Sequence, residues 1–272
     1  MSVSGNGAAQ PPSESKWLRL ARAGWRPLNH VRARLTRETK RDFLKARWVM
    51  RSRKNAESRT EAGTALRRTG VSVINLAHRE DRIADFSSEM ERLGIADWQR
   101  VDAVDGRKKF PQIDPFFSAS IGCTLSHIAA IEQANWQEKD AWMFCEDDAQ
   151  FLIEQDDLSL ILASFMNDPS LDVLALYGRA RGASHRIGSG LRISCGIVGR
   201  VCYVIKPHMK KVLIDEFSAG VPLLLRGVRK GKGDQMWRKL QRWHYFFATP
   251  ARAMVQNRPG YSDIEGRVLG SR

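Results

Sequence analysis

The chain has 272 residues, 43% hydrophobic and 27% charged, with a formal net charge of +14. That length and apolar content suit one large domain, or a domain with a tail, and exclude wholesale disorder, a collagen-like repeat and a disulfide mini-scaffold. The charge is uneven: residues 1–70 hold 17 Lys and Arg against 5 Asp and Glu, and the rest of the chain is near balance, so a nearly neutral body follows a basic arm.

Residues 1–15 are rich in Gly, Ser, Pro and Gln and read as a disordered lead-in. From Lys16 to residue 69 a basic segment carries Trp17, Leu20, Trp25, Leu28, Val31, Leu35, Phe43, Leu44, Trp48 and Val49, several at spacings of three or four. This predicts an amphipathic helical extension, broken near Pro27. Such a segment suits an anionic lipid surface, and the alternatives are a helix packed on the body or a clamp on nucleic-acid phosphates. No nucleic-acid motif accompanies the charge, so no specific nucleic-acid partner is expected.

The composition changes at Gly70, where the globular domain, residues 70–272, is expected to begin. Residues 71–76 (VSVINL) read as a buried strand, 81–93 as a helix stopped by Gly94, and 99–104 as a short strand before Asp105-Gly106. Residues 124–134 read as helix and 141–145 (AWMFC) as a strand running into Glu146-Asp147-Asp148. Further helices are expected at 158–166, 207–217 and 234–243, with strands at 171–176 and within 193–205. Alternating strands and helices predict an α/β domain with a mixed, mostly parallel sheet.

No stretch approaches the 18 or more apolar residues of a membrane span, and the first sixteen residues lack the apolar core of a secretory signal. The four cysteines (Cys123, Cys145, Cys195, Cys202) form no CxxC pair and read as buried structural thiols, which fits a cytoplasmic location.

The acidic strand end is the most informative site. Ligands of open α/β sheets bind outside the carboxyl ends of the strands. Three adjacent carboxylates repel one another unless a cation or a donor lies between them, and oxygen ligands of this kind suit Mg²⁺ or Mn²⁺. Alternation in an extended segment puts Glu146 and Asp148 on one side and Asp147 on the other, pointing to Asp148 as a metal ligand and Glu146 as sharing the metal or a ribose. A plain solvated acidic turn is the competing interpretation.

Around this element lie Ile74 to Arg82 (INLAHREDR), Val101 to Gly106, Gly122-Cys123 with Ser126-His127, Gly199 to Ile205, Gly233 to Trp237, and Gln256 with Ser262-Asp263-Ile264. In this order, over roughly residues 71–265, the chain resembles glycosyltransferase family 25, the lipooligosaccharide-biosynthesis galactosyltransferase type. It departs from the family pattern at Ser120 and at Ala77-His78, where acidic or charged residues are common. The resemblance implies a GT-A-like nucleotide-sugar-binding domain and inverting, metal-dependent transfer of a hexose, galactose first and glucose as the close rival. The donor would be a UDP-sugar and the acceptor a lipid-linked saccharide of lipopolysaccharide biosynthesis, at the inner face of the bacterial cytoplasmic membrane. It also makes the acidic triplet the counterpart of a metal-binding DxD motif.

On this basis Asn75, Leu76 and Arg79 would meet the base and ribose, with Arg79 alternatively a surface partner of Asp81 or Glu80. Asp147, Ser262 and Asp263 join the donor-binding set. Inverting transfer needs a base to take the acceptor hydroxyl proton, and Asp234, after the flexible Gly231-Lys232-Gly233, is the expected one unless it merely caps a helix. His127, alone in a helical pattern, reads more readily as a packed residue than as a catalyst. A nucleotidyltransferase, a metal-dependent phosphohydrolase or a non-enzymatic nucleic-acid- or membrane-binding protein are the other classes compatible with these features.

Overall fold

The computed structural model describes residues 37–52, 60–188 and 190–270. The lead-in at 1–15 and the part of the basic arm before residue 37 lie outside the described residues. Fourteen strands, β1 to β14, are present among the described residues. The main sheet has eight of them in the order β2 (Gln99–Asp102), β1 (Thr69–Asn75), β3 (Ala141–Glu146), β10 (Cys202–Ile205), β5 (Val173–Ala175), β11 (Phe247–Pro250), β8 (Leu191–Ser194), β7 (Ser184–Arg186). Short two-stranded pieces pair β4 (Ala149–Phe151) with β12 (Val255–Asn257), β6 (Arg179–Ala180) with β9 (Ile197–Val198), and β13 (Gly260–Ser262) with β14 (Arg267–Leu269).

The fold is α/β with a mixed sheet, but the sheet is not mostly parallel. Only β2–β1, β1–β3 and β5–β11 run parallel, and the other four neighbouring pairs are antiparallel. The reason lies in the connection from β5 to β10. A parallel pair needs a crossover, usually a helix, to carry the chain back to the starting edge. Residues 176–201 contain only short strands, so the chain re-enters the sheet from the edge where β5 ended, and β10 runs backwards between β3 and β5. Strand–helix alternation, valid for the first half of the domain, does not extend across this stretch.

Side chains alternate across the sheet as the strand period requires. Met143 and Cys145 of β3 face one core with Val73, Phe86, Met90, Leu162, Phe165 and Val204, beneath helices Glu80–Arg92 and Gln155–Asn167. Trp142 and Phe144 face the other with Tyr203, Leu213, Phe217 and Trp237, beneath helices Pro115–Gln133 and Met209–Leu225. The helix expected at 124–134 begins nine residues earlier, because Asp114 accepts from the Phe116 and Phe117 amides and Pro115 occupies the first turn.

The helix Arg37–Ser52 of the basic arm docks on the body. Leu44 is buried in the first core, and Trp48 donates its indole N–H to Asp168 at 3.1 Å. Arg51 forks onto Asp172 at 2.7 and 2.9 Å, while Arg47 lies 4.8 Å over the Phe246 ring. Asp172 is fully buried and also accepts from the Phe246 amide (2.7 Å) and from His208 Nε2 (2.8 Å). Because Asp172 immediately precedes β5, this docking occupies the sheet edge opposite the carboxylates. No helix among the described residues is long and apolar enough to cross a membrane.

Gly122 brings the Pro115–Gln133 helix against the loop that enters the short helix Gly106–Lys109. A Cβ at Gly122 would sit 2.5 Å from the Val104 carbonyl and 2.6 Å from the Gly106 amide, and one at Gly106 would strike the Ser118 carbonyl. Both neighbours are backbone and cannot rotate away. Gly122→Ala is therefore expected to cost about 2–3 kcal/mol in a urea unfolding transition, and an unchanged midpoint would disprove the close approach.

Candidate functional site

Strands β1 and β3 run parallel and end at one edge, with Ile74 opposite Glu146. The edge opens into a cleft of about 670 Å³ lined by the acidic triplet together with Leu76, Cys123, His127, Arg200, Asp234, Ser262 and Asp263, among others. The three carboxylates have three different environments.

Asp147 points inward and accepts from Arg82 Nη1 and Asn75 Nδ2, both at 2.7 Å. Burial pushes its carboxyl up to about 6 against the opposing pull of Arg82. Asp148 accepts from Asn257 Nδ2 at 3.0 Å through Oδ2, and its main-chain oxygen accepts from the Arg258 amide at 2.7 Å. Its Oδ1 is buried without a partner. Burial, and then the neighbouring Glu146 charge, push this carboxyl up to about 6. Glu146 turns to the helix Pro115–Gln133, where its Oε1 meets His127 Nε2 at 3.1 Å and accepts from Cys123 Sγ at 3.8 Å. Burial raises Glu146 above the usual carboxylate range, while Arg200 and Lys232 oppose the rise.

His127 is fully buried, with Nδ1 3.0 Å from the Tyr203 hydroxyl. Burial and the nearby Arg200 charge hold its imidazole well below the ordinary histidine range. Burial pushes the Cys123 thiol up to about 12, although Arg200 Nη2 lies 3.4 Å from its sulfur. Arg200 is itself 7% exposed, stacked 4.8 Å over the Phe217 ring and pressed against Gly233, where any Cβ would strike its guanidinium.

Asp234 lies in the first turn of the helix Gly233–Met236 without capping it, since the capping position is Lys232. Its Oδ2 accepts from the Gly199 amide and from Gln235 Nε2, both at 3.3 Å, and its Oδ1 is buried and unpartnered in the cleft wall. Gly199 has φ +95°, and a Cβ there would meet the Tyr177 ring at 2.7 Å, so the backbone path that delivers this amide requires glycine.

The other sequence-predicted residues divide. Leu76, Ser262 and Asp263 line the cleft with Glu146, Asp147, Asp148 and Asp234. Asn75 lies fully buried behind it, holding Asp147 and the Arg79 carbonyl through Nδ2. Arg79 is not among the lining residues: it pairs with Asp81 and, at 2.7 Å, with Asp263, tying the β13 segment to the start of the helix Glu80–Arg92. Ser262 Oγ accepts from the Glu265 amide at 3.2 Å. The sequence reading gave no role to Arg82, Arg200 or Asn257. Arg82 was visible as a basic residue in the first turn of the helix that follows β1, whereas Asn257 reaches Asp148 across 109 residues and left no local signal.

Among the described residues one donor set can hold a metal ion: Cys123, His127 and Glu146, whose ligand atoms lie within 4.8 Å of one another. The acidic pair Glu146 and Asp148 adjoins it, with a partnerless Oδ1 on Asp148 and an Asp148 carboxyl that the Glu146 charge raises. Comparison of the chain with models of known protein families gives no match, and comparison with curated proteins gives none.

Proposed function

We propose that the chain is a metal-dependent glycosyltransferase with a GT-A-like domain, moving a hexose from a UDP-sugar to a saccharide acceptor with inversion. The observation that carries this reading is the acidic strand end, where Asp148 offers a buried carboxylate oxygen with no protein partner beside Glu146. Five basic residues of the cleft lining, Arg107, Arg179, Arg181, Arg200 and Lys232, have no carboxylate within 4 Å among the described residues and suit a diphosphate.

Glu146 and Asp148 would hold Mn²⁺ or Mg²⁺, which when bound supplies positive charge against the departing diphosphate. Leu76 and Ser262 flank the donor, and Arg82, by neutralising Asp147, keeps the strand end from accumulating three free charges. Asp234 Oδ1 takes the acceptor hydroxyl proton as that oxygen bonds to the sugar C1; the C1–O bond to phosphate breaks and the electron pair leaves with UDP. The donor hexose is galactose in this reading, with glucose the close rival, and the acceptor is a lipid-linked saccharide at the cytoplasmic face of the membrane. Leu44 and Trp48 are turned to the body, so these two apolar residues are withdrawn from contact with an anionic leaflet.

Incubation with UDP-hexoses and a saccharide acceptor tests the reading through its products. Release of UDP with a glycosylated product supports it, whereas pyrophosphate or phosphate release moves the site to nucleotidyl transfer or phosphohydrolysis. In the same assay Asp234→Asn is expected to lower kcat by roughly 10²–10³-fold with little change in donor KM. An equal loss in donor binding would remove Asp234 from the base role.

A further inference from the structure

The Cys123–His127–Glu146 cluster fits a different ion from the one suited to the acidic pair. Cys123 and His127 are four residues apart in the helix Pro115–Gln133 and so share one face, which points at the end of β3. A tetrahedral zinc site has Zn–N and Zn–O distances of about 2.0 Å and Zn–S of about 2.3 Å, placing N and O about 3.3 Å apart and S and O about 3.5 Å apart. The corresponding separations are 3.1 Å for His127 Nε2 to Glu146 Oε1 and 3.8 Å for Cys123 Sγ to Glu146 Oε1. These two separations are within a few tenths of an ångström of a coordination shell, and the third, between Cys123 and His127, lies within 4.8 Å.

The outer partners match as well. A metal-bound His Nε2 requires the proton on Nδ1, and Nδ1 lies 3.0 Å from the Tyr203 hydroxyl, which fixes the ring. A bound thiolate needs a donor, and Arg200 Nη2 points at Cys123 Sγ from 3.4 Å. All three ligands line the cleft, so a fourth position faces the open volume.

We infer that Cys123, His127 and Glu146 form a three-ligand site for a borderline divalent cation of the zinc type, with its fourth coordination position open to the cleft. A sulfur and an imidazole ligand favour such an ion over Mn²⁺ or Mg²⁺. On binding, the Cys123 S–H proton passes to solvent, a metal–sulfur bond forms, and no electrons are exchanged. The assignment rests on these donors alone and is independent of the transferase reading. Glu146 belongs to this cluster and to the acidic pair, so filling one withdraws it from the other.

The test titrates the full chain, first treated with a chelator, with Co²⁺ as a spectroscopic substitute for zinc. One equivalent is expected to produce the intense visible bands of a four-coordinate ion and a near-ultraviolet sulfur-to-cobalt charge-transfer band, both erased by Zn²⁺. Cys123→Ser should lose the charge-transfer band, and Asp148→Asn should keep it. Absence of the band, its persistence in Cys123→Ser, or its loss in Asp148→Asn overturns the site. Should the cysteine variant fail to fold, alkylation of wild-type Cys123 read by peptide mass spectrometry decides: Zn²⁺ must slow it at least tenfold, and unslowed alkylation overturns the proposal. Loss of Mn²⁺-dependent UDP binding in Asp148→Asn, with the cobalt band unchanged, would support both readings, told apart by Asp148 and Cys123, the donors that they do not share.

Discussion

Asp148→Asn is expected to lower sugar transfer by roughly 10²–10³-fold, equivalent to about 3–4 kcal/mol of lost transition-state stabilisation, and to abolish any Mn²⁺-dependent thermal stabilisation by UDP. The substitution keeps the volume of the side chain but removes the charge from a buried carboxylate oxygen that has no partner. It should not destabilise the metal-free protein. Burial raises the folded-state carboxyl to about 6, above an unfolded value near 4, so its contribution to stability is present below pH 4 and lost as pH rises through 6. At pH 7.5 the buried charge is a cost that the amide avoids. A metal reverses the sign, because only the carboxylate binds it, and metal-dependent UDP stabilisation should weaken as pH falls through about 6. Differential scanning fluorimetry of both proteins across pH 5–8, with and without Mn²⁺, measures all of this. An Mn²⁺ dependence unchanged in the variant would take the metal away from Asp148.

The second large effect lies at the opposite edge of the sheet. Asp172→Ala should destabilise the fold by about 3–5 kcal/mol, since it strands a buried backbone amide at Phe246 and removes the carboxylate opposite Arg51 and His208. Arg51→Ala should cost much less, because the arginine is partly exposed and its removal leaves Asp172 with two other donors. The double variant should cost little more than Asp172→Ala alone, and hydrogen exchange should show the Arg37–Ser52 helix losing protection in both Asp172 variants. Additive single effects would mean that the ion pair does not couple the helix to the body.

Much of the fold was legible because its signals are local. Residues 81–93 have a helical apolar face and observed bounds of Glu80–Arg92, and AWMFC reads directly as β3. The sheet's polarity was not legible. Nothing near Cys202 announces that β10 will lie between β3 and β5, and that position depends on how the chain returns after residue 175. The region 234–243, read as one helix, is two single turns, Gly233–Met236 and Leu240–Trp243, with Trp237 and Gln241 both donating to the Ile197 carbonyl. For the site, the acidic triplet and Asp234 were visible from residue type and neighbours. The cluster of Cys123 and His127 on Glu146 was only half visible: the i, i+4 spacing was in the sequence, but the distance to β3 was not. The basic arm is a matter of side-chain accounting, since charge density alone gave no hint that Leu44, Trp48 and Arg51 each have a partner on the body.

The clasp on Asp148 by Asn257 and Arg258 gives the molecule a folding order as well as a shape. Cys145 meets Cys202 after 57 intervening steps of chain, and Asp148 meets Asn257 after 109, so the entropy of closing very long loops precedes any reward from these contacts. The early units are the nearby ones, β1 with its following helix and with β2. The rim of the cleft is therefore expected to acquire its native neighbours last, in a chain whose core helices can form in microseconds. A nascent or truncated chain ending before residue 255 would thus retain most of its hydrophobic core while leaving the acidic strand end uncapped, a compact species without a working site.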